Sequence, residues 1–283
     1  MASKIALITG ASSGIGLLAT VELARAGYTV VATMRNLDRK PILEQAAREA
    51  GVLDRIDMRR LNITETATIA PVIAEVVRDH QRIDVLVNNA GFAIGGFSED
   101  VTLDELRTQF ETNFFGHAAM TKAVIPVMRQ QRSGHIIMIS SIAGLVCTRG
   151  TGSYGASKFA LEGWSEALRI ELLGLGIKVV LVEPGSFATD IWERNVMVGK
   201  EALSETSPNK DRSRRFVEFI RGKTKKKDAR VIAHLIVRIA NNTNPRLRYL
   251  IGTDARIAYL FKRMLPWKMW ERMILNRMGI DKA

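Results

Sequence analysis

A tyrosine and a lysine stand four residues apart in "SYGASKFALEG", as Tyr154 and Lys158. At that spacing on a helix the two side chains are neighbours. A phenol beside an ammonium is a combination suited to moving protons. A free tyrosine titrates near ~10 and is a poor base at neutral pH, and a nearby cation favours its phenolate. An acid–base group works best when it titrates close to the working pH. The spacing alone does not single the pair out, because Tyr and Lys fall four apart by chance on many helix surfaces.

A second stretch supplies a place for an anionic ligand. "TGASSGIG", Thr9 to Gly16, follows a strand-like run and has glycines at 10, 14 and 16. The spacing differs from G-x-G-x-x-G, yet the physics is the same. Glycines Gly10 and Gly14 allow a tight turn and a close approach of backbone to a pyrophosphate, and the following helix directs its N–H groups there. Ser12 and Ser13 add hydroxyl donors, and Gly16 permits close packing of helix on strand. A glycine-rich turn without any ligand is the alternative. The position of the turn, after the first strand and before an apolar-periodic helix, favours binding. The second strand ends in "ATMRN", with Arg35 where an acidic residue would hold a ribose 2′-hydroxyl. An arginine there favours a 2′-phosphate, hence NADP (NADPH) over NAD. The alternative is a surface arginine paired with Asp38.

These residues need elements to hold them. Strand-like runs "KIALIT", "YTVVATM", "RIDMRRLN", "IDVLVNN", "HIIMIS", "IKVVLVE" and "LRYLIG" alternate with amphipathic stretches such as "GLLATVELARAG" and "LDELRTQFETNFFGHAAMTKAVIPVMRQQ". Several runs are nearly continuous Val, Ile and Leu, as in parallel strands buried on both faces. The expected fold is α/β: one doubly wound, Rossmann-type domain with a parallel seven-stranded sheet, flanked by helices and followed by a helical and loop C-terminal extension. Within a single 1–283 unit, residues 1–190 read as cofactor-binding and catalytic core. Residues 191–230 read as a polar substrate loop or lid, 245–252 as the last strand, and 255–283 as a basic amphipathic segment.

Composition limits the remaining options. The chain has 283 residues, 47% hydrophobic and 25% charged, with a formal net charge of +12. Residues 1–190 carry 19 Lys and Arg against 20 Asp and Glu, whereas 191–283 carry 22 against 9. The whole excess sits in the last third, which points to a positive surface near an anionic partner. One cysteine, Cys147, excludes an intrachain disulfide and fits a reducing, cytoplasmic location. His80, His117, His135 and His234 show no metal-ligand spacing, so no metal site is expected. The N-terminus runs straight into a strand pattern without a signal-peptide h-region, and no apolar run reaches 18 residues.

Four separated features, "TGASSGIG", "NNAG" at 88–91, "SSIAG" at 140–144, and Tyr154 with Lys158, resemble the short-chain dehydrogenase/reductase family in order and spacing. The resemblance covers residues 3–190 and continues more weakly to the last strand. It implies a catalytic set of Asn113, Ser141, Tyr154 and Lys158. Tyr154 would give a proton to a carbonyl oxygen or take one from an alcohol, Ser141 would hydrogen-bond the same oxygen, and Asn113 would hold a water linking Lys158 to solvent. Lys158 would tune the phenol and bond the nicotinamide ribose. The implied cofactor set adds Ile15, Asn88, Ala90 and Gly91, then Asn62 and Ile63 where the family has an acidic residue against the adenine. From "EPGSFATD" it adds Pro184, Gly185, Phe187 and Thr189; Thr189 also reads as a helix N-cap. The details around Arg35 and "YGASKFALEG" look most like the branch acting on steroids, retinoids and lipid alcohols or ketones. Hydride transfer between NADP(H) and an apolar carbonyl or secondary alcohol is the expected function, with an NADP(H)-binding sensor of little turnover as the alternative. Homodimers or tetramers are usual in such families. No nucleic-acid motif accompanies the basic third.

The segment "RIAYLFKRMLPWKMWERMILNRMGI" has apolar residues at helical spacing, broken at Pro266. Two readings compete: a helix closing the substrate pocket or a subunit interface, or an interfacial helix on an anionic membrane with Trp267 and Trp270 at headgroup level.

Overall fold

The computed structural model describes residues 3–188, 196–221 and 227–278. The chain begins β1 (Ile5–Thr9), α1 (Gly14–Arg25), β2 (Thr29–Met34), α2 (Lys40–Glu49), β3 (Ile56–Arg60), α3 (Thr66–His80) and β4 (Val85–Asn88). It continues through β5 (Ala93–Gly95), α4 (Leu103–Phe110), α5 (His117–Gln131), β6 (Gly134–Ile139), α6 (Gly152–Leu173) and β7 (Ile177–Pro184). Then come β8 (Val196–Val198), α7 (Lys210–Arg221), α8 (Arg230–Ala240), β9 (Arg248–Ile251), α9 (Thr253–Met264) and α10 (Trp267–Met278).

All seven expected strands form one parallel sheet in the order β3-β2-β1-β4-β6-β7-β9. The sequence dictates which strands lie at the edges. β1 (IALIT) is buried throughout, and β7 nearly so. β3 (IDMRR) and β9 (RYLI) carry charges and are only partly buried. A run of charged side chains along a strand is accommodated most readily at an edge of the sheet. Alternation sorts the central strands between two cores. Ala6 and Ile8 face α1, α2 and α8, while Ile5 and Leu7 face α3, α5 and α6. Strand order reverses between β1 and β4, which opens a crevice at the carboxyl ends of those strands.

Two features differ from the sequence reading. The amphipathic stretch from Leu103 to Gln131 is not continuous α-helix but α4 and α5 joined by a π-helical turn, Glu111–Gly116, that contains Asn113. A second, two-stranded sheet pairs β5 with β8, so the polar segment after residue 190 is tied back to the loop after β4. The break at Pro266 is where α9 ends and α10 begins.

Candidate active site

A cavity of about 1350 Å³ opens at the carboxyl end of the sheet. Its first wall is the turn after β1. Gly10 and Gly14 have φ of +69° and +54°, a region that only glycine enters freely. A Cβ on Gly10 would stand 2.8 Å from the Ala90 Cα, so β1 and β4 approach here as backbone. Ser12, Ser13, Gly14 and Ile15 line the cavity. Ser13 is the N-cap of α1 but makes no side-chain cap bond, and the first turn has no acidic residue. The helix therefore leaves its N-terminal N–H groups and positive dipole end for an anion.

Gly16, expected among the cofactor residues, does not line the cavity. A Cβ there would collide with the Gly10 carbonyl and the Asn89 amide, so its role is to let α1 close on the turn. Gly16→Val is expected to lower the melting temperature and abolish nucleotide binding together, measured by thermal denaturation with and without nucleotide.

Asn88 requires a correction. It is fully buried, and its amide donates to Thr121 Oγ1 at 2.8 Å, on the side away from the cavity. Its neighbour Asn89 lines the cavity and ties the strand ends together, donating to the Thr9 and Gly10 carbonyls at 2.9 and 3.1 Å. Thr9 Oγ1 in turn accepts from the backbone N–H groups of Asn89 and Ala90. Ala90 and Gly91 line the cavity as expected. His117 donates from Nε2 to the Ala90 carbonyl at 2.6 Å, and burial pushes its pKa down to about 3, so it is a neutral prop.

Arg35 lies at the end of β2, exposed and on the cavity rim. No ion pair joins Arg35 to Asp38, whose backbone N–H donates to Asn36, the cap of the following turn. Arg39, not foreseen in the sequence, joins Arg35 on the rim. Asn62 and Ile63 also line the cavity, with Asn62 Oδ1 already accepting from Thr64.

The four expected catalytic residues come from three elements. Ser141 follows β6 and caps a short 3-10 turn by accepting the Ala143 N–H at 3.1 Å. Tyr154 and Lys158 are both on α6 and both buried. Ser141 stands beside the Tyr154 hydroxyl and favours its ionised form. Lys158 Nζ donates to the Ile139 carbonyl at 2.9 Å and stands 5.8 Å from the Tyr154 ring centre. Asn113 is fully buried on the π-helical turn and does not itself line the cavity. It donates to the Phe92 carbonyl at 3.0 Å and to Ser157 Oγ at 3.2 Å, which anchors the turn to α6 beside Lys158. π-turns of this kind concentrate at functional sites.

Burial dominates the electrostatics of the pair. Burial pushes the Tyr154 phenol up to about 12, against the lowering by Ser141, and pushes Lys158 down to about 8, against the raising by Glu162. In the chain by itself desolvation sets the phenol's direction, and the lowering expected from Lys158 together with an oxidised nicotinamide belongs to the cofactor-bound state.

The third wall is the segment after β7. Pro184, Gly185 and Phe187 line the cavity, and Thr189 lies outside the described residues. Asp254 accepts the Ser186 N–H at 2.7 Å and fixes this segment, and Gly185 has no room for a Cβ against that carboxylate. The remaining wall is apolar: Val146, Met197, Phe216, Phe261, Trp270 and Met273. The donors, the glycine cradle and the uncapped helix end fit a dinucleotide, and the apolar wall leaves room beside Tyr154 for an organic substrate.

Comparison with known proteins agrees with this geometry. The family model described as short chain dehydrogenase matches residues 4–197. Over 280 residues the chain is 39% identical to an uncharacterized oxidoreductase, YusZ, of Bacillus subtilis, covering 98% of this chain and 99% of that one. It is 36% identical to 3-ketodihydrosphingosine reductase of Bacteroides thetaiotaomicron over 94% of each chain. A crystal structure of a short-chain dehydrogenase from Streptomyces avermitilis superposes with a TM-score of 0.82 at 32% identity, covering 97% of this chain and 98% of that one.

Proposed function

Because the chain belongs to the short-chain dehydrogenase/reductase family, we propose that it moves hydride between NADP(H) and the carbonyl or secondary alcohol of an apolar, lipid-like molecule. The observation that carries this reading is the convergence of the Tyr154 and Ser141 hydroxyls on a cavity with a glycine turn at one end and an apolar wall at the other. The nicotinamide, when bound, supplies or accepts the hydride.

The chain's residues do the rest. In reduction, Tyr154 donates its hydroxyl proton to the substrate oxygen; in oxidation, it takes that proton back. Ser141 holds the same oxygen by hydrogen bond and stabilises the charge that develops there. Lys158, displaced toward neutral pH by burial, titrates near working pH and can return a proton to the phenol. The apolar wall excludes water and selects for hydrocarbon. The similarity to a 3-ketodihydrosphingosine reductase supports a long-chain or fused-ring lipid as substrate class.

Arg35 and Arg39 support the choice of NADP(H): two guanidinium groups at the end of β2 suit a 2′-phosphate. A panel of lipid, steroid, retinoid and small carbonyl compounds with NADPH or NADH tests the whole reading by loss of nicotinamide absorbance. Turnover of apolar ketones with NADPH is expected; preference for NADH or for small polar carbonyls would contradict it. Arg35→Glu removes a charge-assisted hydrogen bond worth about 3 kcal/mol, so kcat/KM for NADPH should fall by on the order of 100-fold. The value for NADH should change little.

A further inference from the structure

The last two described helices carry apolar surface that the catalytic reading does not use. Among the described residues, seven of the seventeen exposed large hydrophobic residues lie between Ile257 and Leu275. Met264 is 70% exposed, Trp267 63% and Leu260 55%. On α9, at roughly 100° per residue, Ile257, Leu260, Phe261 and Met264 form one ridge, and Arg256 and Arg263 flank it on one side. The opposite face is the attached one. Ala255 is buried, and Lys262 Nζ donates to the Leu145 carbonyl at 2.8 Å.

The ridge also borders the catalytic cavity. Ile257 and Phe261 are at once exposed and part of its lining, and the half-buried Met273 and Ile274 of α10 line it too. The mouth of the cavity thus opens along the apolar ridge.

Beside the ridge lies a second recess of about 650 Å³. It is lined by Arg238, Arg246 and Arg256, with Tyr249, Tyr259 and Asn242 among them. Arg248 also lines it but is engaged by Glu162, Glu166 and Glu183. Among the described residues, Arg238, Arg246 and Arg256 form no ion pair; Arg246 lies over the Tyr249 ring at 5.2 Å, and Arg256 reaches only the Leu250 carbonyl. The recess is also lined by Leu145, Leu235, Leu250 and Ile251, and by Glu183, which Arg248 engages; the guanidinium groups without an ion pair suit phosphate oxygens.

We propose that the α9–α10 face docks on an anionic phospholipid bilayer. The ridge residues Leu260, Met264 and Trp267 enter the headgroup boundary, and the arginine recess takes lipid phosphates. The mouth of the catalytic cavity then faces the layer in which an apolar substrate is dissolved. An amphipathic helix with aromatic and aliphatic residues on one side and cations beside them is the usual form of such a surface. Charge argues against a second copy of this chain as the occupant. From Thr253 to Asn276 the sequence has five Lys and Arg against two Asp and Glu, so a two-fold contact would set like charges on like. Both carboxylates are also occupied within the chain, Asp254 by Lys227 and Ser186, and Glu271 by the Trp267 indole. The docking itself does not depend on the catalytic reading.

Co-sedimentation with vesicles tests this, using the full chain. Binding to vesicles of phosphatidylcholine with phosphatidylserine should exceed binding to phosphatidylcholine alone by at least ~10-fold and should weaken with salt. The combined variant Arg238→Glu, Arg246→Glu, Arg256→Glu should lose that binding, and so should Leu260→Ser with Met264→Ser and Trp267→Ser. Tyr154→Phe should bind as the unaltered chain does, so failure of docking and failure of the catalytic reading are told apart. Equal binding to both vesicle types, or unchanged binding by either combined variant while circular dichroism shows it folded, would overturn the proposal. So would saturable binding of inorganic phosphate to the recess by a chain that does not bind either vesicle type, which would mark the recess as a site for free phosphate. Loss of a dimer in the ridge variant without loss of vesicle binding would assign the ridge to a second copy and overturn the proposal as well.

Discussion

Tyr154→Phe is expected to lower kcat by on the order of 1,000-fold, the usual contribution of one positioned acid–base group. The ring stays and only the hydroxyl goes. The side chain is 3% exposed and packs with Ala93 and Ala143, contacts that phenylalanine keeps. Stability should change by about 1 kcal/mol or less, the net value of one hydrogen bond. Nucleotide affinity should be retained, because the glycine turn and Arg35 are untouched. Steady-state kinetics and nucleotide fluorescence titration on the same preparation check both halves. A variant that still turns over within tenfold of the original would remove Tyr154 from the chemistry. The direction of the pH dependence follows from the same group. Burial holds the phenol protonated, up to about 12, so the proton needed for reduction is present across the neutral range. Oxidation needs the phenolate, and its rate should rise with pH where reduction does not.

The largest stability effect is expected at Arg248. This side chain joins β9 to Glu183 of β7 at 2.5 Å, to Glu166 of α6 at 2.5 Å and to Glu162 of α6. Glu162 and Glu183 are buried, and burial raises both, Glu183 to about 7. Arg248→Met leaves two buried carboxylates without their cation, a change that costs about 3–5 kcal/mol in comparable cases. The sign of the pH effect can be worked out. Glu183 titrates higher in the folded chain than its ordinary 4.5, so between those values the folded state holds more protons than the unfolded. Its contribution is fully present below about 4.5 and is lost as pH rises through about 7. Removing Arg248 raises both carboxyl groups further. The loss in melting temperature should therefore be greater at pH 8 than at pH 5, as read by thermal denaturation at the two values. An equal loss at both would mean that Arg248 acts through packing alone. Glu162 also sits one helical turn beyond Lys158 and raises it, so the variant should disturb the lysine's titration as well.

Much of this could be read before any coordinates, for identifiable reasons. Buried parallel strands write themselves as runs of Val, Ile and Leu, and all seven runs became strands of the sheet. The turn at Gly10 and the pair Tyr154–Lys158 were legible because a strand-to-helix turn and a helical spacing are local. What was missed is not local. β5 and β8 are three residues each and meet across a hundred positions, with too few residues to show a period. Arg39 belongs to a short irregular turn whose direction no repeat announces. The exchange of Asn88 for Asn89 is a one-residue error at a strand end, where successive side chains point to opposite faces. A spacing reveals a neighbour but not the depth of burial, so the rise that burial gives the Tyr154 phenol was not legible.

The most direct measurement follows one hydrogen. The unaltered chain is mixed with an apolar long-chain ketone and NADPH deuterated at the transferring carbon, and the product is analysed by mass spectrometry. Deuterium should appear on the carbinol carbon of the alcohol, with none detected from Tyr154→Phe although that variant still holds the nucleotide. Alcohol formed without the label, or no alcohol from any apolar ketone by a chain that binds NADPH, would contradict the assignment of hydride chemistry to this cavity.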